Sequence, residues 1–295
     1  MTATTAIVTV NYASHRLLAT NEALRQAQDE GLHVVVADSY SSAGNRDAVT
    51  ALCADQGWQL VPLADNPGFG SAVNAAVAAL DATVDTLVLL NPDASAPART
   101  LSHLADAVRD DQAAIVAPRI VRPDGSTWSE GGDILVAEGT TRTAGVRIEE
   151  ASHPWLSGAC LAVSRPLWER LGGFDDDYFM YWEDVDLSYR CVTGGGRVVV
   201  RRDLVVVHDV GGTQGGGRAK SDLYYRYNCR NRLMFASKHL TADEIRGWIS
   251  TAPSYARDVV LRGGRRQFIE RGPGPLVSAA RGSWEGYLRA RRALR

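Results

Sequence analysis

Residues 6–38 read AIVTVNYASHRLLATNEALRQAQDEGLHVVVAD. Two β-branched runs, Ala6–Asn11 and His33–Asp38, each end in a polar side chain. Between them Leu17, Leu18, Asn21, Leu24 and Ala27 recur at helical spacing, so the stretch reads strand–helix–strand. The pattern then repeats. Trp58–Leu63 is a third strand, Ala72–Leu80 a helix, Thr86–Leu90 a strand buried on both faces, Arg99–Val108 a helix and Ala113–Ala117 a strand. Repeated β-α-β units predict an α/β fold with a Rossmann-like, mostly parallel central sheet and helices on both faces. Ligands of such sheets bind at the carboxyl ends of the strands, which directs attention to Asn11, Asp38, Asn66–Gly70 and Asn91–Asp93.

Beyond Arg119 the rhythm changes. Arg122-Pro-Asp-Gly125 is a turn signal, and Asp133–Ile148 reads as a hairpin or irregular insert. A helix is predicted over Glu183–Val192, strands over Arg197–Val200 and Leu204–His208, a mobile glycine-rich loop over Gly211–Gly217 and a helix over Leu223–Lys238. Residues 241–295 read as an arginine-rich helical extension, broken at Gly272-Pro-Gly-Pro275, after a domain at 1–240.

The 295 residues carry 32 basic and 34 acidic side chains, a net charge of −2. That balance excludes general nucleic-acid binding, which needs a strong basic field. With 45% hydrophobic and 22% charged residues the composition is globular. No apolar run approaches the roughly 20 residues of a bilayer-spanning helix. The N-terminus has no basic n-region, so no signal peptide is expected. Cys53, Cys160, Cys191 and Cys229 are far apart and read as reduced, buried thiols of a cytosolic protein. Charge is uneven: Tyr255–Arg295 holds ten arginines against three acids, a net +7 that leaves −9 for residues 1–254.

Four motifs carry chemistry. In Leu89-Leu-Asn-Pro-Asp93 a buried strand ends in a carboxylate of the kind a hard divalent cation needs beside phosphates; the alternative is a turn that stops the strand. In Asp65-Asn-Pro-Gly-Phe-Gly-Ser-Ala-Val-Asn74 two glycines at a loop-to-helix junction permit close backbone approach, and free N–H groups suit an anion. Asn74, one helical turn in, would orient a ribose or the loop backbone; Asp38 would accept from a nucleobase or ribose, or serve as a cap or turn residue. Around Tyr181-Trp-Glu-Asp-Val-Asp186, aromatic surroundings raise a carboxyl pKa and suit a general base, whereas a helix N-terminus keeps acids ionised. His208 ends an apolar strand before the glycine-rich loop, where a neutral imidazole completes a metal shell or packs structurally.

In this order the motifs resemble the inverting, GT-A-fold glycosyltransferases of family 2, in particular the bacterial rhamnosyltransferase-like branch, over roughly residues 5–240. The resemblance implies that the strand ending Val10-Asn11-Tyr12 opens the nucleotide site. Asp38 would recognise the base, and Asn66, Gly68, Phe69, Gly70, Asn74 and Asn91 would contact the nucleotide. Asp93 and His208 would hold Mg²⁺ or Mn²⁺. Trp155, Ser157, Gly158, Ala159 and Trp182 would line the sugar and acceptor pocket. Glu183 and Asp184 would form the catalytic acid pair, with Asp184 as the base. Tyr227-Asn-Cys-Arg-Asn-Arg232 resembles the helix that usually follows the core of this branch. The run Asp38-Ser-Tyr-Ser-Ser42 departs from the family's Asp-Asn and Ser-x-Asp pattern, so no choice between uridine and thymidine carries over.

The expected reaction moves a sugar from a dTDP- or UDP-sugar, with dTDP-rhamnose leading, to a hydroxyl of a saccharide or lipid-linked acceptor of the cell envelope. The expected location is cytoplasmic, with the arginine-rich tail either touching the inner face of the membrane or packing in a homodimer. A soluble natural-product acceptor, a sugar-1-phosphate nucleotidyltransferase and a non-catalytic nucleotide-sugar-binding module are the competing readings.

Overall fold

The apolar runs become strands β1 (Thr4–Asn11), β2 (Leu32–Asp38), β3 (Gln59–Pro62) and β4 (Val84–Leu90), which lie in the order β3-β2-β1-β4 and run parallel. The computed structural model describes residues 4–143, 145–209, 220–264, 267 and 271–295. The chain divides into two compact units. One comprises Met1–Asp133, Thr143–Phe179 and Glu183–Thr213; the other comprises Ile134–Arg142, Met180–Trp182 and Gln214–Arg295.

The other strands are β5 (Ala94–Ser95), β6 (Ala114–Val121), β7 (Thr127–Ser129), β8 (Gly132–Leu135), β9 (Thr140–Arg142), β10 (Pro154–Trp155), β11 (Cys160–Ser164) and β12 (Arg197–His208). The first unit's sheet has the order β3-β2-β1-β4-β11-β6-β12-β5, with β7 on β6. Strands β1–β4, β6 and β12 share one direction; β5, β7 and β11 run against it. Its helices are α1 (His15–Thr20), α2 (Glu22–Arg25), α3 (Ala43–Gln56), α4 (Phe69–Ala78), α5 (Ala98–Asp110), α6 (Arg165–Leu171) and α7 (Glu183–Thr193).

Alternate residues feed two cores, as a two-residue period requires. Ile7, Val34, Val36, Val88 and Leu90 pack with α3 and α5, whereas Val8, Val35, Ala37, Leu87 and Leu89 pack with α4, α6 and α7. Burying each such side chain is worth about 1.5–3 kcal/mol, which is why both-face-apolar runs settle at the centre of the sheet. All four cysteines are free and buried.

Two expectations need correcting, and a third, the hairpin, is met. The helical pattern of residues 17–27 is cut at Asn21, which accepts from Leu24 N at 3.4 Å as the N-cap of α2. Its amide also donates to Ala94 O at 2.7 Å, a long-range bond that the local spacing does not reveal. The two strands expected over 197–208 are one strand, irregular between Arg201 and Val205, where Arg201 bonds Asp203 at 2.7 Å. The insert expected over 133–148 contains the hairpin β8–β9, and the start of β8 pairs antiparallel with β10. The glycine-rich run Gly211–Gly217 lies outside the described residues.

In the second unit, α8 (Asp222–His239), α9 (Ala242–Ser250), α10 (Ala252–Leu261) and α11 (Gly274–Ala293) form a helical layer. Ser221 caps α8, and Thr241 with Glu244 makes a reciprocal capping box on α9. Helix α11 lies against α8 through Ala279, Gly282, Gly286 and Ala290. A Cβ at Gly282 would collide with the Arg226 carbonyl, and one at Gly286 would come within 2.7 Å of the Arg230 carbonyl. The fully buried Arg232 donates to Gly139 O, to Trp248 O at 2.8 Å and to Thr251 Oγ1 at 2.6 Å. Its guanidinium also lies 4.9 Å and 4.7 Å from the ring centroids of Trp248 and Tyr255. Burial without a carboxylate pushes its pKa down to about 10, so it still carries its charge at neutral pH.

Candidate active site

Parallel register sets Asn11 beside Asp38 at the carboxyl ends of β1 and β2. Asn11 Nδ2 donates to Asp38 Oδ1 at 2.6 Å, and Asn11 Oδ1 accepts from Ser14 N at 3.0 Å. The second oxygen of Asp38 accepts from Arg46 Nε, and Arg46 is also fixed by the Leu63 carbonyl at 2.5 Å. Asp38 is 1% exposed and serves neither as a cap nor as a turn residue. Its neutralising partner Arg46, eight residues on, carries no motif and was missed by sequence reasoning. The Tyr40 ring lies 5.3 Å from that guanidinium, and Tyr12 is exposed beside Val10 and Asn11. Around these ends Thr9 Oγ1, Ser39 Oγ and Asn91 Oδ1 are buried without a hydrogen-bond partner.

Past β4, Asn91 N donates to Ala159 O at 2.9 Å. Two residues on, β5 pairs with β12 so that Ala94 faces His208. His208 Nε2 then lies 3.1 Å from Asp93 Oδ1, with both side chains more than nine-tenths buried. The Trp128 ring meets the imidazole edge-on at 4.6 Å, and His208 Nδ1 has no partner. A cavity of about 340 Å³ lined by Arg122, Pro123, Asp124, His208 and Asp209 opens there. A carboxylate oxygen and an imidazole nitrogen at this separation suit Mg²⁺ or Mn²⁺. Among the described residues no group of three or more His, Cys, Asp or Glu side chains is placed to hold a metal. The site therefore fits an ion that takes its remaining ligands from a substrate and water.

The segment 172–179 packs on the start of α4. Gly68 has φ +100°, and a Cβ there would overlap the Phe179 carbonyl; Phe69 N donates to that carbonyl at 3.0 Å. A Cβ on Gly70 would lie 2.9 Å from Phe174 Cβ and 3.7 Å from Glu183 Cβ. Asn74 Oδ1 accepts from Phe174 N at 3.0 Å, and its Nδ2 donates to Phe174 O at 2.8 Å. The close approach expected for a phosphate is thus made by the chain's own backbone, and Asn74 orients a loop. Asn66 Oδ1 accepts from Gly68 N at 3.0 Å and shapes the turn.

That loop leads to the acid pair at the start of α7. Asp184 Oδ2 accepts from Gly158 N and Oδ1 from Val185 N, both at 2.9 Å. Glu183 is buried and its Oε2 has no partner. Burial raises both pKa values, that of Glu183 further because ionised Asp184 opposes a second charge. Asp184, with two N–H donors on its carboxylate, is the member of the pair that ionises more readily. Asp186 is structural: it is wholly buried and bonds Arg190 Nε at 2.7 Å.

Ser157 Oγ accepts from Ala159 N at 3.3 Å, and Trp155 Nε1 is buried without a partner. Trp182, expected in the sugar and acceptor pocket, instead packs against Phe235 at 5.5 Å and Trp248 at 6.0 Å in the second unit and is 4% exposed. Tyr181 and Trp182 both have left-handed backbone, with φ 67° and 76°. Asn231 of α8 donates to the carbonyls of Met180 at 2.9 Å and Tyr181 at 2.7 Å. Such bonds are what non-glycine residues need to stay in that region.

Comparison with known proteins agrees with this architecture. Residues 4–172 match glycosyl transferase family 2. The N-acetylglucosaminyl-diphospho-decaprenol L-rhamnosyltransferase of Mycobacterium tuberculosis (strain ATCC 25618 / H37Rv) is 31% identical over 240 residues, 70% of this chain and 76% of the relative. Among solved structures, mannosyltransferase PcManGT from Pyrobaculum calidifontis, in complex with GDP-Man and Mn²⁺, superposes with a TM-score of 0.58 at 21% identity, covering 98% of this chain and 78% of that one. GalNAc-T7 with UDP, GalNAc and Mn²⁺ gives a TM-score of 0.61 at 13% identity over 93% and 58% of the two chains. These likenesses establish the fold, a mixed α/β fold of GT-A type. The chain belongs to glycosyl transferase family 2.

Proposed function

We propose that the protein transfers a hexose, rhamnose from dTDP-rhamnose being the leading donor, to a hydroxyl of a lipid-linked saccharide in cell-envelope assembly, with inversion at the anomeric carbon. The observation that carries this reading is the meeting of Asp93 and His208 at 3.1 Å across 115 residues of chain. Asn91 links that pair to Ala159, whose neighbour Gly158 holds Asp184. The rhamnosyltransferase relative, named for a decaprenol diphosphate acceptor, supports the choice of donor and acceptor.

In this reading Asp38, with Asn11 and Arg46 around it, anchors the base, and Asn91 and the buried hydroxyls of Thr9 and Ser39 face the nucleotide. Asp93 and His208 would hold Mg²⁺ or Mn²⁺, which when bound would supply positive charge to the diphosphate. Asp184 takes the proton from the acceptor hydroxyl. The oxygen forms its bond to the anomeric carbon on the face opposite the departing diphosphate, whose C–O bond breaks. Burial raises the Glu183 pKa further than that of Asp184, which leaves Asp184 the better placed of the two to carry the charge that a base needs. Trp155 and the Ser157–Ala159 turn border the sugar.

A thermal-shift screen of dTDP- and UDP-sugars, with and without Mn²⁺, tests this, because a ligand at 100 times its Kd stabilises the fold by about 2.7 kcal/mol. The expected result is a Mn²⁺-dependent rise with dTDP-rhamnose, followed by rhamnose transfer to a polyprenyl-diphosphate saccharide. No shift with any donor under either condition would overturn the reading.

A further inference from the structure

Helix α11 is locked by its inner face. Gly282 and Gly286 meet the backbone of α8, and Arg226 forks Glu285 at 3.0 and 2.8 Å, so the helix is fixed in rotation about its own axis. Its opposite face leaves large apolar side chains in water: Leu276 is 52% exposed, Val277 62%, Trp284 60% and Leu288 37%. The spacing of 277, 284 and 288 puts three of them on one stripe. Trp284 stacks with Tyr287 at 5.6 Å. Arg281, Arg291, Arg292 and Arg295, all exposed, rim the stripe.

We propose that this face of α11 docks on the surface of an anionic lipid bilayer, with the helix lying in the interface plane. The inference rests on the lipid-linked acceptor of the proposed function for its purpose, and on the stripe and its charge for its chemistry. An apolar, Trp-bearing stripe with an arginine rim is the pattern of a helix that beds at the boundary between headgroups and acyl chains. Among the described residues no helix is long and apolar enough to cross a membrane, so the contact is from one side. A second copy of the chain would press one arginine rim against another. Anionic lipid neutralises it, and each arginine near such a surface tightens binding roughly five-fold.

The test is flotation of the full chain with phosphatidylcholine vesicles containing about one-third phosphatidylglycerol, or none. Val277→Asp with Trp284→Asp removes the stripe and leaves the Gly282 and Gly286 contacts in place; Arg291→Glu with Arg292→Glu reverses the rim and leaves Glu285 with Arg226 and Arg281. The expected result is flotation only with anionic vesicles, and at least a ten-fold loss in each double variant whose thermal midpoint matches the native chain. The proposal is overturned if the native chain partitions equally in both vesicles or in neither. Unchanged flotation of folded variants also overturns it, as does a dimer on size exclusion that the Val277 and Trp284 changes dissolve. Should the variants not fold, quenching of native tryptophan fluorescence by brominated anionic lipid decides: quenching supports the contact, none overturns it. The donor thermal shift is independent of vesicles, so failure of the enzymatic reading is seen separately.

Discussion

Arg232 in the second unit and Glu183 in the first are both ionisable groups taken almost wholly out of water, and the two surroundings treat them in opposite ways. Arg232 has carbonyls, a hydroxyl and two aromatic faces around its guanidinium, and remains charged. Glu183 has an oxygen with no partner, and burial, with Asp184 beside it, raises its pKa well above the usual carboxyl range. The same contrast extends outward. Asn91 Oδ1, Trp155 Nε1 and His208 Nδ1 are buried and unsatisfied in the first unit, whereas Asn231 in the second bonds two carbonyls and accepts from Arg230 at 2.8 Å. Leaving a buried polar group unpaired costs about 1–3 kcal/mol, so a fold keeps such groups where something else uses them.

The sharpest way to break that contrast is Asp184→Asn. Turnover is expected to fall about 10²–10⁴-fold with the donor thermal shift retained, because only the base is lost. Equal turnover would remove Asp184 from the chemistry. The converse change, Arg232→Ala, should cost about 2–4 kcal/mol of stability, through a cavity and stranded carbonyls, and leave the kcat of the folded fraction within about two-fold. Denaturant melts paired with initial rates separate the two. Next in size, His208→Ala should raise the Mn²⁺ concentration for half-maximal rate by about ten-fold or more, in keeping with the loss of a ligand. A metal titration that does not move would detach the imidazole from the ion.

Two pH effects sharpen the comparison further. Because Asp184 has a raised pKa, kcat should fall on acidification through a value above the ordinary aspartate range. Glu183 also has a raised pKa, so the native state binds its proton more tightly than the unfolded chain does. Its contribution to stability is therefore full below the ordinary glutamate value and is lost as pH rises towards the folded-state value. Glu183→Gln should flatten that decline, making the variant gain on the native chain as pH increases from 4 to 7, with the acid limb of kcat left in place. A parallel pair of stability curves would contradict the assignment of the proton to Glu183.

The central strands were legible because every second residue of Ala6–Asn11 and His33–Asp38 enters one of two cores, which leaves an unbroken apolar run in the sequence. Asp93 and His208 were legible because each ends such a run. What escaped has no local period. Arg46 reaches Asp38 from a helix, and Asn231 and Arg232 face inward on α8 beside Leu233, Met234 and Phe235. Gly282 and Gly286, which taken alone weaken a helix, are the contact that holds α11. The ring contacts of Trp182 escaped for the same reason: the sequence shows an aromatic residue beside two acids, not the left-handed turn that directs its ring to Phe235 and Trp248.

The seat of Gly68 on the Phe179 carbonyl has a consequence for anyone who would recombine this enzyme with a relative. The start of α4 and the loop ahead of α7 are about a hundred residues apart, yet each is cut to the other's backbone and neither can be grafted alone. A chimaera that imports residues 66–74 must import residues 172–179 with them, or the incoming loop will meet a peptide group where its own partner left room.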